Sequence, residues 1–259
     1  MEKGMLLNLQ EGILYGPVNS RRYGRSLGIN LMPGAYKLCS FNCVYCHYGW
    51  TRTCTMDMQS HAADLPAFEK VVSSLEEALK KPIRLDLITF SGNGEPTLYP
   101  RFPELVDAVV TLRNRYKPDA RVALLSNATG LVLKEVRECV AKIDLPVLKL
   151  DAGTEEVFQA INRPAQGIHL KGIVECLSSL ENIYLQTVFM DGSPSNTGPG
   201  ALSVYYELVK KIHPREVHLY SIDRPVPNRQ IVLVSPERLE AIAGRILEKT
   251  GIPARAYYI

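Results

Sequence analysis

The chain has 259 residues, 46% of them hydrophobic, and 30 Lys and Arg against 27 Asp and Glu give a net charge of +3. That is enough apolar material for a sizeable core and too little charge to imply a nucleic-acid surface. The first residues, Met1-Glu-Lys-Gly-Met-Leu-Leu7, hold no signal-peptide apolar stretch, no run approaches membrane-spanning length, and six cysteines are too few for a disulfide scaffold, which points to a reducing, cytoplasmic setting without a membrane.

In chain order, residues 1–26 show no long periodic element. The segment Gly16-Pro-Val-Asn-Ser-Arg-Arg-Tyr-Gly-Arg-Ser26 reads as a loop of turn formers and cations. Its Arg21, Arg22 and Arg25 form either a solvated face or a bidentate site for a carboxylate or phosphate. Residues 26–31 and 35–38 are short extended candidates that lead into Cys39-Ser-Phe-Asn-Cys43-Val-Tyr-Cys46. Asp64 is a candidate cap for a helix with Leu65, Phe68, Val72, Leu75 and Leu79 on one stripe. A strand at 83–90 and a helix at 101–116 follow, the helix with Phe102, Leu105, Val109 and Leu112 together. Then come a strand at 121–125, a helix at 131–142 and a strand at 146–150. A loop containing Asn162-Arg163-Pro164 leads to a helix at 168–180. A strand at 183–190, a helix at 201–212 and a strand at 216–222 precede a last helix at 235–249, capped by Ser235 with Pro236 in its first position. Residues 253–259 suit a short edge strand.

Counted from the strand before the cysteines, these are six strand–helix units. Crossovers through helices make the sheet parallel, either doubly wound or curled into a partial barrel. In both, ligands bind at the C-terminal ends of the strands. One domain over residues 1–259 is the simplest organisation: an N-terminal extension and loop at 1–33, a core at 34–250 and a C-terminal segment at 251–259.

The strand ends carry the chemistry. Cys39, Cys43 and Cys46, at C-x3-C-x2-C spacing, suit a soft metal centre. Iron–sulfur clusters usually take four cysteines, so three leave one iron open to a small molecule. Two other readings exist. Cys43-Val-Tyr-Cys46-His47 also fits c-type haem attachment, which would need export. Cys39, Cys43, Cys46 and His47 could hold a structural zinc, although a second ligand knuckle is missing. Cys139 and Cys176 fall in expected helices as small core residues, and Cys54, just past the triad, stays open. After the second strand comes Ser91-Gly92-Asn93-Gly94-Glu95-Pro96, where two glycines permit close backbone approach and Glu95 is an acceptor. Ser126 and Asn127 follow the third strand, as helix caps or as partners of a ribose or carboxylate. Asp151 follows the fourth, either capping a turn or accepting from ribose hydroxyls. Gln186 and Thr187 are polar within the fifth and need partners. Tyr220 to Ile222 end the sixth and could flank an adenine.

The triad, with Tyr45 before its last cysteine, resembles that of the radical S-adenosylmethionine (SAM) superfamily. The resemblance implies a 4Fe-4S cluster on Cys39, Cys43 and Cys46 whose fourth iron chelates the amino and carboxylate groups of SAM. Gly92-Asn-Gly-Glu95 is similar to the superfamily's GGE motif, with Asn93 in place of a glycine, so Glu95 would accept from the SAM ammonium. Tyr45, Gly92, Gly94, Ser126, Asn127, Asp151, Gln186, Tyr220 and Ile222 are the implied cofactor contacts. The segments 16–31, 39–49, Ile161-Asn-Arg-Pro164 and Tyr220-Ser-Ile-Asp-Arg-Pro225 resemble the group related to wyosine-base (4-demethylwyosine) synthases, which implies a partial (β/α)6 barrel. This chain lacks a second cysteine triad, a flavodoxin module and a long basic extension, so the likeness implies the SAM machinery and not the wyosine reaction. The implied activity is reductive cleavage of SAM to a 5′-deoxyadenosyl radical that takes hydrogen from a substrate. The electron would come from a donor such as flavodoxin or ferredoxin. Arg21, Arg22, Arg163 and Arg224 are candidate substrate contacts. The substrate is left open between RNA, a peptide or protein as for an activase or maturase, and a small molecule. A non-catalytic α/β module with a structural zinc is the remaining alternative.

Overall fold

Runs of β-branched and large apolar residues form the strands, and 3.6-residue apolar stripes form the helices between them. The computed structural model describes residues 6–20 and 22–258, so Arg21 lies outside the described residues. The strands are β1 (Leu14–Ser20), β2 (Gly24–Ile29), β3 (Leu38–Cys39), β4 (Thr53–Cys54), β5 (Leu87–Phe90), β6 (Arg121–Ser126), β7 (Leu145–Lys149), β8 (Tyr184–Val188), β9 (Met190–Gly192), β10 (Glu216–Tyr220), β11 (Ile231–Leu233) and β12 (Ala254–Ala256). The helices are α1 (Phe68–Leu79), α2 (Phe102–Tyr116), α3 (Lys134–Val140), α4 (Glu155–Asn162), α5 (Leu170–Ser178), α6 (Pro199–Ile212) and α7 (Pro236–Thr250).

Eight strands make one sheet in the order β1-β2-β5-β6-β7-β8-β10-β12. All neighbours from β2 to β12 are parallel, and β1 lies antiparallel at the β2 edge. The six expected strand–helix units run from β2 to β10. The sheet curls, because Arg22 in the β1–β2 turn hydrogen-bonds His218 on β10 and Gln186 on β8, near the other end of the strand order. Its two edges stay unpaired with each other, which makes a partial (β/α) barrel.

The two faces differ. Side chains alternate along a strand, and the outward set is apolar and packs under the helices. Ile29, Phe90, Leu124, Leu148 and Leu219 are fully or nearly fully buried. Phe90 meets Phe102 of α2 edge-on at 5.2 Å. The inward set holds a small separate cluster, Leu87, Ala123 and Leu145, with Tyr23 and Tyr184 against it.

Several expectations change. The arginine-bearing segment is not a plain loop but a β-hairpin of β1 and β2, with a bulge between Tyr15 and Val18. Gly28 on β2 makes room for it: a Cβ there would lie 2.2 Å from the Tyr15 ring. The sheet therefore begins ahead of residue 34. Asp64 does not cap α1. It ends a short 3-10 turn and accepts from the Tyr36 hydroxyl at 2.6 Å, while Ala67 stands at the N-cap. The buried stripe of α1 is Val71, Leu75 and Leu79, one residue round from Val72. The stretch at 131–142 divides into a 3-10 turn and the shorter α3. The segment ahead of Asn162 is helical, as α4: Thr154 caps it by accepting from the Val157 amide at 3.3 Å, and Arg163 ends it at φ 44°.

Candidate functional site

A cavity of about 480 Å³ opens at the C-terminal ends of the parallel strands and extends into the curl of the sheet. Cys39, Cys43, Cys46, Tyr45, Gly92, Gly94, Glu95, Ser126, Asn127, Gln186, Tyr220, Ile222 and Arg22 all line it. Three candidates do not. Asp151 is buried beneath the wall, Arg163 lies over the Trp50 ring at 4.9 Å, and Arg224 is exposed.

The cysteine loop is clamped from two sides. On one, the Val44 amide donates to the Ile161 carbonyl at 3.0 Å, the Asn42 amide to the Asn162 carbonyl at 3.0 Å, and the Ala165 amide to the Ser40 carbonyl at 2.8 Å. The Ile161-Asn-Arg-Pro164 turn thus holds the loop by its backbone. On the other side, Leu38 bridges to Gly94. A Cβ on Gly94 would sit 1.6 Å from the Leu38 carbonyl oxygen, so no other residue permits that approach. Amide groups face two of the sulfurs: Asn127 Nδ2 is 3.7 Å from Cys39 Sγ and Asn162 Nδ2 is 3.5 Å from Cys43 Sγ. Burial pushes the Cys39 thiol well up and the Cys43 thiol up to about 11. Lys37 is buried beside them and donates to the Gly49 carbonyl at 2.9 Å. Burial alone would lower its pKa, but the neighbouring Cys46 and Cys39 side chains outweigh that and raise it. Cys54 is the strand neighbour of Cys39 but faces the Arg163 carbonyl at 3.7 Å, outside the cavity wall. Among the described residues, no three His, Cys, Asp or Glu side chains are disposed to hold a single metal ion.

Glu95 is only 2% exposed and already well bonded. Its Oε1 accepts from the Thr97 amide at 3.0 Å, the Thr97 hydroxyl at 2.6 Å and the Ser126 hydroxyl at 2.6 Å, and its Oε2 from the Asn127 amide at 2.6 Å. Burial raises its pKa against the pull of these bonds. One carboxylate thereby ties the β5 turn to the β6 turn. Ser126 and Asn127 also bond locally, to the amides of Ala128 at 2.9 Å and Thr129 at 3.0 Å. Asn93 is fully buried, its side chain donating to the carbonyls of Gln10 and Pro33 at 2.8 Å each. It holds the N-terminal segment down, a task no glycine could perform.

Asp151 supports the cysteine loop from below. Its Oδ2 accepts from the Tyr45 hydroxyl and from Asn162 Nδ2 at 2.8 Å, and its Oδ1 from the Val188 amide at 2.9 Å. Asp151 thus braces the cysteine loop, with Tyr45 as the link to Cys46. Below the rim, Lys149, Gln186 and His218 stand in register on β7, β8 and β10; the first two line the cavity and His218 is buried outside its lining. Sequence reasoning missed Lys37, Lys149, Asn162 and His218. The signal for two of them was present: one polar residue recurs at the same inward register of three successive strands.

The family model for the radical SAM superfamily matches residues 35–197. The chain belongs to that superfamily, whose general chemistry is cleavage of SAM to a radical intermediate, and it is an enzyme by that membership. A UPF0026 protein of Synechocystis is 32% identical over 93% of this chain and 95% of its own length. Among solved structures, a radical SAM methyltransferase from Sphaerobacter thermophilus is 15% identical with a TM-score of 0.64, covering 90% of this chain and 66% of that one. TYW1 with a lysine-pyruvate adduct bound is 14% identical with a TM-score of 0.58, covering 86% of this chain and 73% of that one. Likenesses this distant show the fold alone and single out no branch, wyosine-type or other. Among the described residues no helix is long and apolar enough to cross a membrane.

Proposed function

We propose that this chain is a single-cluster radical SAM enzyme whose Cys39, Cys43 and Cys46 would hold a 4Fe-4S cluster at the cavity mouth. The observation that carries this is the set of three free thiols on one cavity wall, braced by Gly94 and by the Ile161–Pro164 turn. The donor chemistry fits. A single zinc requires ligands that meet at a point, whereas cluster thiolates bind separate irons and need only share a wall. When bound, such a cluster supplies the electron that cleaves SAM into methionine and a 5′-deoxyadenosyl radical, which takes hydrogen from the substrate.

The chain's own groups would do the rest. Glu95 Oε2 accepts one hydrogen bond. Each carboxylate oxygen has about two acceptor positions, so one remains on Oε2 for the SAM ammonium. Gly92, with φ 129°, and Gly94 let backbone approach a ligand. Leu125, Val147 and Val188 give the wall an apolar lining that keeps water from a reactive species. Tyr45, held by Asp151 and Asn162, fixes the last turn of the cysteine loop. A one-electron donor such as flavodoxin or ferredoxin would reduce the cluster.

Anaerobic reconstitution with iron and sulfide tests this. About four irons and a brown chromophore in wild type, lost in Cys39→Ala, are expected. A colourless protein that takes up one zinc and no iron would overturn it.

A further inference from the structure

Arg22 leaves the β1–β2 turn and reaches across the inside of the curled sheet. Its Nη1 lies 3.0 Å from His218 Nδ1 and its Nη2 donates to Gln186 Oε1 at 3.2 Å. The guanidinium carbon stands 5.2 Å from the Tyr23 ring centre and 5.0 Å from that of Tyr220. Four groups from two strands and the turn therefore fix one cation in the cavity wall. None of them is a carboxylate. His218 is buried and kept neutral, so its ring nitrogen accepts from the guanidinium without cancelling its charge. No ion pair among the described residues includes Arg22; the neighbouring Glu216 is engaged by Arg255 at 3.3 Å and Lys149 by Asp151 at 3.6 Å.

A half-buried guanidinium is costly to desolvate unless an anion pairs with it. Arg22 has five N–H donors, and the two contacts to His218 and Gln186 leave three for a ligand. A planar fork of this kind matches the two oxygens of a carboxylate or phosphate. Below it the curl is closed by Leu87, Ala123 and Leu145 with Tyr23 and Tyr184. A polymer cannot thread past that floor. A small molecule that ends in a compact oxyanion fits this closed end.

Resting on the radical SAM reading of the same cavity, we infer that Arg22, positioned by Gln186 and His218, is the anchor for the oxyanion of a small-molecule substrate. The anion would be a carboxylate or a phosphate, and it would hold the substrate below the cysteine wall. Arg22 is then a specificity-determining residue, and the floor of the barrel a subsite distinct from the SAM-binding rim.

Calorimetric titration of inorganic phosphate, succinate and uncharged succinamide into the purified, anaerobic full chain tests this without turnover. One saturable site per chain is expected for phosphate or succinate and none for succinamide. Whichever anion binds more tightly assigns the class. Arg22→Gln should weaken binding about 10- to 100-fold and Arg22→Lys less, since the charge survives but the fork does not. Gln186→Leu, which keeps Arg22 but removes one of its two hydrogen-bonded supports, should weaken it several-fold and serves if Arg22→Gln fails to fold, as circular dichroism would report. Cys39→Ala should keep the anion site, because that thiol is no part of it. Equal affinity in wild type and Arg22→Gln, or no anion binding in folded wild type, would overturn the subsite. SAM titration into reconstituted wild type reads the radical SAM assignment separately, so each can fail without the other.

Discussion

The two faces of the curled sheet are made by the same strands and follow opposite rules. Outward, Ile29, Ile88, Phe90, Val122 and Leu124 are fully buried under helices and carry no polar atom. Inward, the sheet presents Thr89 on β5, Lys149 on β7, Gln186 on β8 and His218 on β10, and Ser26 shares a 2.7 Å hydroxyl contact with Thr89. The outer face is stabilised by burial in proportion to apolar area. The inner face is costly to build, because each polar group there needs a partner. A fold that needed only stability would make both faces apolar. That this one does not marks the inner face as the working surface.

If that contrast holds, outward truncation should cost stability and inward change should alter binding or pH behaviour. The largest stability effect is expected from Phe90→Ala, which removes a fully buried ring packed on Phe102. The loss should be about 3–5 kcal/mol in chemical denaturation.

The second effect is inward and depends on pH. Burial, then Arg22 and Arg255, push the His218 pKa down to about 3. Glu216, Tyr23, Tyr184 and Tyr257 also face the ring. The unfolded chain's histidine takes its proton near pH 6.5 and the folded one refuses it. His218 therefore contributes nothing to pH dependence well above 6.5. Stability is lost as pH falls from there toward 3, by at most about 1.4 kcal/mol per pH unit. Stability curves of wild type and His218→Gln should diverge below pH 6.5 by that slope, and parallel curves would remove His218 from the account.

The third effect is at the rim. Glu95→Gln should weaken SAM binding about 10- to 100-fold, the value of roughly 1.5–3 kcal/mol for a hydrogen bond to a charged group. It should also lower stability by about 1–3 kcal/mol, because four donors converge on this carboxylate and an amide cannot accept from them all. Anaerobic SAM titration and denaturation separate the two readouts. The smallest effect belongs to Cys54, which lies beside Cys39 but outside the cavity wall. Cys54→Ser should leave iron content unchanged and stability within about 0.5 kcal/mol.

The same contrast explains what was legible in the sequence. The outer face announces itself: apolar runs such as Leu87–Phe90 and stripes such as Leu239, Ile242, Ile246 give the six units and their order. β1 was hidden because Gly16-Pro17 interrupts it and Gly28, its packing partner, has no side chain to count. The cysteine triad was legible because its spacing is local. Asp151 was correctly placed at a strand end, but which way it turns depends on Tyr45, Asn162 and Val188, far away in the chain. Arg22 was one of three similar arginines until its partners, 164 and 196 residues away, set it apart. Arg163 and Arg224 gave the same local signal and lie outside the cavity. Local chemistry can be read from spacing; convergence across strands needs register.

The central claim is that the cysteine wall performs SAM cleavage. Wild type and Cys43→Ala, both reconstituted anaerobically, are to be incubated with SAM and dithionite and assayed for 5′-deoxyadenosine and methionine. The account predicts both products from wild type and none above background from Cys43→Ala, whose fold should survive because a core of this size does not depend on a metal. Equal product from the two proteins would contradict it.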